Sequence, residues 1–208
     1  MTGVEGTWLG CRIARRREAT LHRFHYRSVA ASMSESAGAL ARYIDAFGED
    51  TVDLVGHSLG GVVILTALER APLRPPGRAV LLGAPVQGSR AARGLDRWPG
   101  GHRLLGRAIA EAVLDAPPRT RPLTREVGVI AGTAPYGLGR LVARLLEPND
   151  GVVEVEETRL DDARDHLELP VNHFGMLISR TVADQAAAFL ADGGFERDRL
   201  PPRLRRVA

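Results

Sequence analysis

A serine in a glycine-rich turn is the feature of this sequence that points most directly to chemistry. Ser58 lies in the segment Gly56–Gly61, which reads GHSLGG. A serine at the apex of a sharp strand-to-helix turn needs unusual backbone angles, and nearby glycines let the chain pass close to itself. Such a turn also presents the hydroxyl near a helix N-terminus, which favours a developing anion. We therefore interpret Ser58 as a candidate nucleophile and the Leu59 N–H as a candidate oxyanion donor.

A neutral serine is a weak nucleophile, so it needs a histidine base that a carboxylate orients. In a strand-turn-helix architecture of this kind, the acid and then the histidine follow the serine along the chain. His173 lies in a loop between the last predicted strand and the last predicted helix, where a base should project. His166, at the start of that strand, is the alternative base, and a helix-capping role for His173 is also left open. His57 adjoins Ser58, and we expect its side chain to point to the other side of the turn.

The orienting acid is expected in a loop between the serine and the histidine. Asp150 lies in the turn Asn149-Asp150-Gly151, after a predicted strand and before His173. Its order and its loop position favour it as the acid. Because Asp-Gly is also a common turn dipeptide, rivals remain nearer the histidine: Asp161, Asp162 and Asp165.

The segments that must position these residues alternate between strand and helix patterns. The predicted strands are Leu21–Ser28, Thr51–Val55, Arg78–Gly83, Val127–Ala131 and His166–Leu169. The predicted helices are a segment opened by Ser34 and Ser36, then Val62–Arg70, and a last helix from Gly175 to Leu190. This alternation predicts an α/β fold with a mostly parallel sheet, flanking helices and right-handed crossovers.

One segment, residues 97–118, interrupts this alternation. It is predicted to be an inserted helix, either a lid over a pocket or a packed surface helix. Its apolar residues are Trp98, Leu104, Leu105, Ile109, Val113 and Leu114. We therefore expect one domain over residues 1–196, including this insertion, followed by a basic C-terminal tail over residues 197–208.

Composition excludes several classes of protein. The 208 residues are 44% hydrophobic and 25% charged, a globular balance, and no window approaches the ~20 apolar residues of a membrane-spanning helix. The 28 basic residues are all arginine, and they are scattered among 25 acidic residues in a chain of net charge +3. With only 5% aromatic residues and no nucleic-acid motif, a solvated surface is favoured over a nucleic-acid partner. A lone Cys11 and the absence of a signal-peptide pattern predict a cytoplasmic location.

The sequence carries no motif for a metal or a cofactor. Its histidines are dispersed, it has one cysteine, and it lacks an HExxH pattern. The segment Gly56–Gly61 also lacks the lysine with which a phosphate-binding loop reaches a phosphate. We therefore expect neither a metal nor a cofactor.

Taken together, these motifs resemble the α/β-hydrolase superfamily, specifically its bacterial lipase and esterase branch, over nearly the whole chain. The matching segments are Gly56–Gly61, Leu82–Pro85, Gln87–Ser89, Asn149–Val152 and Asn172-His173. The resemblance implies an α/β-hydrolase fold, with Ser58 as nucleophile, His173 as general base and Asp150 as its acid. It also implies a small-molecule or lipid carboxylic ester as the substrate. A thioesterase or a peptidase of the same fold is the alternative activity.

The sequence departs from this family at its N-terminus. Such hydrolases have a buried strand ending in His-Gly before the nucleophile strand, and the residue after that pair donates the second oxyanion N–H. The opening segment Met1–Gly10 instead resembles the loop and helix that would follow that strand. We hypothesise that Met1 is an internal start or truncation point, and that a central strand is missing.

A missing strand would have three consequences. Loss of one oxyanion donor costs about 10²–10³ in turnover, unless the backbone of Gly3, Thr7 or Trp8 supplies it. An unpaired sheet edge invites self-association. The competing function is therefore a catalytically impaired or non-catalytic protein that uses this fold for binding.

Overall fold

The computed structural model describes residues 4–26, 31–70, 72–101, 123–137 and 139–200. Its core is a four-stranded sheet in the order β1-β2-β3-β4, in which every neighbouring pair is parallel. The strands are β1 Leu54–His57, β2 Ala79–Leu82, β3 Val127–Gly132 and β4 Asp165–Leu169. Because the strands are parallel, their carboxyl ends lie along one edge of the sheet. The prediction of an α/β fold with a parallel sheet is confirmed.

Helices cover both faces of this sheet. The α-helices are α1 Val4–Arg17, α2 Met33–Asp45, α3 Leu59–Arg70, α4 Arg90–Asp96, α5 Gly139–Val142 and α6 Arg180–Asp192. Short 3-10 helices span Glu156–Thr158, Gly175–Ile178 and Arg197–Arg199. Helices α2 and α3 pack together on one face, and α1 and α6 pack together on the other.

Alternation along β2 shows how the core divides between these faces. Ala79 and Leu81 pack in the hydrophobic cluster of α2 and α3, whereas Val80 and Leu82 pack in the cluster of α1 and α6. All four side chains are fully buried. A parallel strand covered on both faces therefore reads as an uninterrupted apolar run.

Strand β1 begins later than predicted, at Leu54 rather than at Thr51. The side chain of Asp53 accepts a hydrogen bond of 2.9 Å from the Arg78 N–H. The regular ladder starts at the next residue, whose N–H donates to the Arg78 carbonyl oxygen. The strand also ends later than predicted, at His57 rather than at Val55, so that Ser58 follows it directly.

The predicted strand Leu21–Ser28 is wrong over its described part. Residues 21–26 form no strand, and residues 27–30 lie outside the described part of the chain. Phe24 and Tyr26 pack against the cluster of α2 and α3 instead. No strand of the described sheet pairs with this segment. The aromatic residues that suggested a strand serve to pack against helices instead.

Helix α2 begins before the predicted serines, because a different serine caps it. The Ser32 side chain accepts a hydrogen bond from the Glu35 N–H, and the Glu35 carboxylate accepts one from the Ser32 N–H. This reciprocal pair is a capping box, which satisfies two backbone donors at once. The helix therefore starts at Met33 rather than at Ser34 or Ser36.

The last predicted helix, Gly175–Leu190, is divided in the structure. The 3-10 helix Gly175–Ile178 ends at Ser179, whose backbone is extended. The Ser179 side chain then accepts a hydrogen bond from the Val182 N–H and caps α6. The break separates the loop that carries His173 from the helix that packs on the sheet.

Strand β1 lies at an edge of the described sheet and pairs with β2. Val55, in the middle of β1, is 38% exposed, whereas the side chains of β2 are fully buried. The strand that leads to Ser58 is therefore covered less completely than its neighbours.

Two predicted segments lie mainly outside the described residues. Residues 102–122 contain most of the predicted insertion, including five of its six apolar residues; Trp98 is exposed after α4. Residues 201–208 contain most of the predicted tail, whereas Leu200 is buried. Among the described helices, none has the length and apolar character needed to span a membrane.

A glycine in β3 is expected to be necessary for the packing of α6. A Cβ atom at Gly128 would lie 2.7 Å from the ring of Phe189, so Gly128→Ala should destabilise the fold by about 1–3 kcal/mol. Urea denaturation measures this change. Gly6→Ala is the control, because its Cβ in α1 meets nothing within 4 Å and should stabilise the helix by about 0.5–1 kcal/mol. A Gly128→Ala protein as stable as the parent would contradict this packing.

Candidate active site

Ser58 occupies the junction between β1 and α3 in a left-handed backbone conformation, with φ of 55°. Its N–H donates to the Leu82 carbonyl oxygen at 2.8 Å, and its own carbonyl oxygen accepts from the Gly61 N–H at 2.9 Å. A residue with a side chain adopts this conformation only at an energetic cost, so surrounding contacts must hold it. These two hydrogen bonds tie Ser58 to the end of β2 and to the first turn of α3.

The glycines around Ser58 are needed because the backbone passes very close to itself. A Cβ at Gly56 would lie 2.6 Å from the backbone nitrogen of Gly61. A Cβ at Gly61 would lie 2.6 Å from the Cβ of Ala84. Both approaches are shorter than van der Waals contact, so the GHSLGG pattern allows the helix to begin immediately after the strand.

Asp150 and His173 form a buried hydrogen-bonded pair. The His173 Nδ1–H donates to Asp150 Oδ2 at 2.7 Å, and the two side chains are 2% and 1% exposed. The other carboxylate oxygen accepts from the backbone N–H groups of Val152 and Val153 at 2.9 and 2.7 Å. Because Nδ1 carries the proton, Nε2 of the neutral ring keeps a lone pair and can accept a proton.

The rivals proposed for these two roles are engaged elsewhere. His166 Nε2–H donates to the Thr158 hydroxyl oxygen at 3.1 Å, since that hydroxyl itself donates to the Val155 carbonyl. Asp165 forms a bidentate pair with Arg197, at 2.8 and 3.0 Å.

The remaining rival acids also lie away from the histidine. Asp161 is exposed, and Asp162 accepts from the Leu123 N–H at 3.2 Å. Among the described residues, the structure therefore brings Asp150, rather than Asp161, Asp162 or Asp165, into hydrogen-bond contact with His173.

Two glycines at the carboxyl ends of the central strands leave room for the Asp150–His173 pair. Gly83 follows β2 with φ of +53°, and a Cβ there would lie 3.0 Å from Asp150 Oδ2 and 3.2 Å from His173 Nδ1. Gly132 ends β3, and its Cβ would lie 2.7 Å from the Cβ of Asp150. The pair therefore fits against the sheet because these two positions carry no side chain.

The loop that carries Asp150 is held by its own side chains. Asn149 is buried; its Oδ1 accepts from the Gly151 N–H at 2.9 Å, and its Nδ2 donates to the Leu146 carbonyl at 3.1 Å. The Asp150 N–H donates to the Val153 carbonyl at 3.0 Å. The Asn-Asp-Gly turn thus presents the carboxylate in a fixed direction.

A buried acidic pair braces the same loop, and sequence reasoning missed it. Arg90 of α4 binds the Glu154 carboxylate at 2.8 Å. The Glu157 carboxylate accepts from the Glu154 N–H at 3.0 Å, and burial raises the pKa of Glu157. The sequence signal was three glutamates after the Asp150 turn, of which Glu154 and Glu157 are buried, but their partner Arg90 comes from a distant helix.

His57 also lies beside His173, contrary to the prediction that its side chain points away. The two rings have centroids 4.6 Å apart, and the His57 Nε2–H donates to the His173 carbonyl oxygen at 2.9 Å. Burial, followed by the nearby His173, lowers the pKa of His57 to about 4. His57 is therefore neutral near pH 7.

The candidate nucleophile, Ser58, and the candidate base, His173, are not hydrogen-bonded to each other in the described part of the chain. Among the described residues, the Ser58 hydroxyl forms no hydrogen bond with His173. Hydrogen bonds of this kind often tighten only when substrate binds. His57, which precedes Ser58 in the chain, provides the direct contact to His173.

One backbone N–H group that is predicted to donate a hydrogen bond to the oxyanion is available in the described part of the chain. The Leu59 N–H, at the start of α3, has no hydrogen-bond acceptor there. Trp8 lies inside α1, where a helical hydrogen bond uses its backbone N–H, and Thr7 lies in the first turn of that helix. Gly3 lies outside the described residues.

Comparisons with known proteins agree with this architecture. A model of the alpha/beta hydrolase family matches residues 7–208. The chain is similar to a lipase from Bacillus licheniformis in its mature form, with a TM-score of 0.57 and 21% identity over 70% of this chain and 69% of that one. For the propeptide form of that lipase, the TM-score is 0.61 at 20% identity over 84% of this chain, which spans only 45% of that form.

The esterase domain of a Rhodothermus marinus protein is also similar, with a TM-score of 0.51 and 20% identity over 91% of this chain and 77% of that one. A comparison with curated proteins gave no match. At these identities, the solved structures show a common fold.

Gly83→Ala is expected to break the Asp150–His173 hydrogen bond, because the new Cβ would approach both partners. Loss of the low-field proton NMR signal of the His173 Nδ1–H would report the break. Gly48→Ala is the matched control, because Gly48 also has positive φ, +65°, but nothing lies within 4 Å of its Cβ. Retention of that signal in Gly83→Ala would show that the site can accommodate the methyl group.

Stability should fall as the pH drops from 6.5 to 5. Burial lowers the pKa of both His57 and His166 from 6.5 to about 4, so the unfolded chain takes up these protons before the folded protein does. The stability that the neutral His57 ring contributes is largely retained above pH 6.5 and decreases as the pH falls towards 4, by about 1.5 kcal/mol between pH 6.5 and 5. His166 is only partly buried, so solvent screening makes its contribution smaller. Urea denaturation at several pH values measures the loss.

His166→Gln is the control for this pH dependence, because glutamine can still donate to Thr158 but cannot be protonated. The loss between pH 6.5 and 5 should be smaller in this variant than in the parent. An unchanged pH dependence would mean that groups other than His166 cause the loss.

Proposed function

The chain belongs to the alpha/beta hydrolase family, and on this premise we propose that it is a serine hydrolase that cleaves carboxylic esters through an acyl-enzyme on Ser58. The observation that carries the proposal is the buried 2.7 Å hydrogen bond between His173 and Asp150, close to the strained Ser58 turn. A base with a free Nε2, an orienting carboxylate and a serine at a helix N-terminus are the parts that acyl transfer requires.

In the acylation step, the Ser58 hydroxyl oxygen attacks the ester carbonyl carbon while His173 Nε2 takes its proton. The ring becomes an imidazolium, which the Asp150 carboxylate stabilises through the Nδ1–H. The tetrahedral intermediate then collapses: the bond to the alcohol oxygen breaks, and His173 returns the proton to the leaving alcohol. Ser58 is left as an acyl ester.

In the deacylation step, a water molecule repeats this chemistry. His173 takes a proton from the water as its oxygen attacks the acyl carbonyl, and then returns the proton to Ser58 as the acid product leaves. Asp150 keeps its position throughout, because two backbone N–H groups hold its second oxygen. The acid therefore maintains one ring orientation for both steps.

The Leu59 N–H is the proposed donor to the oxyanion. It is free among the described residues and lies at the N-terminal end of α3, where the helix dipole favours negative charge. A hydrolase with one oxyanion donor is slower by about 10²–10³ than one with two. We therefore expect slow turnover if Leu59 acts alone.

Exposed apolar side chains in the segment that follows the base support an ester with an apolar acyl group. Phe174 follows His173 directly and packs edge-on against its ring at 5.5 Å. Phe174 and Ile178 are both exposed despite their size. A p-nitrophenyl ester series from acetate to long acyl chains would distinguish esterase from lipase activity.

The first test is labelling with a fluorophosphonate probe, together with hydrolysis of p-nitrophenyl acetate. The parent protein should label and hydrolyse, and Ser58→Ala should do neither. Asp150→Asn should reduce the hydrolysis rate by about 10³–10⁴, because the ring loses its correct tautomer.

Matched variants keep this test specific. Asp161→Asn and His166→Gln alter residues of the same types outside the proposed site, and both should retain the parent's activity. Labelling of Ser58→Ala at the parent's rate would refute Ser58 as the nucleophile. A folded parent that neither labels nor hydrolyses would favour a binding role for this fold instead.

A further inference from the structure

We propose that His57 is a positioning residue for His173: its Nε2–H holds the His173 carbonyl group and thereby fixes the base relative to Ser58. The inference rests on the proposed role of His173 as the base. In this proposal, His57 does not accept the serine proton, and it does not bind the His173 Nδ1–H. It acts on the backbone carbonyl group of His173 instead.

The hydrogen bond has a single direction. A carbonyl oxygen only accepts, so the 2.9 Å contact between His57 Nε2 and the His173 carbonyl oxygen requires a proton on Nε2. The two rings also lie against each other, with centroids 4.6 Å apart and planes tilted by 46°. His57 therefore contacts both the backbone and the ring of His173.

This contact completes a set of three that holds His173. The Asp150 carbonyl oxygen accepts from the His173 N–H at 2.9 Å, and the Asp150 carboxylate accepts from the His173 Nδ1–H at 2.7 Å. His57 holds the carbonyl group on the other side of the same residue. The contact with His57 is thus the one of these three hydrogen bonds that does not involve Asp150.

The position of His57 in the chain makes this contact relevant to catalysis. His57 immediately precedes Ser58, whose backbone is held in a left-handed conformation. Any displacement of the serine turn is thus transmitted to the loop of His173 through one hydrogen bond. Because a misplacement of about 1 Å can cost roughly 10²-fold in rate, such a direct connection would matter.

The chemistry of the side chain suits this role. Burial and the neighbouring His173 lower the pKa of His57 to about 4, although the charge of Asp150 acts to raise it. His57 therefore donates to the carbonyl oxygen while its ring remains neutral. An arginine could also donate to the carbonyl, but its charge would oppose the imidazolium that forms on His173. A neutral donor holds the base without that repulsion.

Two variants separate the donor from the ring. His57→Gln keeps an N–H donor near the position of Nε2, whereas His57→Phe keeps an aromatic ring but removes the donor. In His57→Phe we expect kcat and the fluorophosphonate labelling rate to fall about ten- to a hundred-fold, with little change in KM. His57→Gln should remain within about three-fold of the parent.

A second measurement does not depend on activity. The low-field proton NMR signal of the His173 Nδ1–H should weaken or shift in His57→Phe and persist in His57→Gln. If His57→Phe does not fold, solvent exchange of the His57 Nε2–H in the parent decides the question. Slow exchange supports the hydrogen bond, and exchange as fast as that of a free imidazole overturns the proposal.

The outcomes distinguish this proposal from the proposed function. Suppose that the parent protein does not label, but the His173 Nδ1–H signal weakens in His57→Phe and persists in His57→Gln. The hydrolase assignment then fails, and the positioning role stands. If the signal and the labelling rate are the same in His57→Phe as in the parent, the positioning role is wrong. Equal loss in both variants would overturn it as well, because the N–H donor that His57→Gln retains would then make no difference.

Discussion

The buried carboxylate of Asp150 is the constraint that organises the carboxyl edge of the sheet. A buried charge is tolerated only where hydrogen bonds replace water, and here two backbone N–H groups and one imidazole supply them. The glycines at positions 83 and 132 follow from the same constraint, since a methyl group at either would displace the carboxylate or its partner. The two strand ends therefore lack side chains at the positions where Asp150 and its hydrogen-bond partner His173 must fit.

The two faces of the sheet contribute to the site in different ways. On one face, α3 starts directly after Ser58 and packs with α2, so the serine turn is held by an apolar cluster. On the other face, α1 packs against α6 and against the 3-10 helix that follows His173. The nucleophile and the base thus depend on separate hydrophobic clusters, and His57 provides a contact between them.

Local patterns could be interpreted from the sequence, whereas contacts between distant segments could not. The Gly56–Gly61 turn was predictable, because its requirements concern neighbouring residues. The orientation of His57 was not, because it depends on a carbonyl oxygen 116 residues away. Leu21–Ser28 was mistaken for a strand for the same reason, since its aromatic residues meet helices rather than a neighbouring strand. The Arg90–Glu154 pair likewise joins an otherwise unremarkable arginine to a distant loop.

The order of strands has a consequence for how the protein acquires its site. Ser58 follows β1 and His173 follows β4, which are opposite edges of the described sheet, while Asp150 follows β3. The site therefore takes its residues from segments that follow both edge strands of the described sheet, and it is complete only when all of these strands are in place. Contacts between residues this distant in sequence close late, because the loop entropy must be overcome first. During refolding, the α2–α3 layer around β1 can form early, and the arrangement of the three side chains must wait for the final strand.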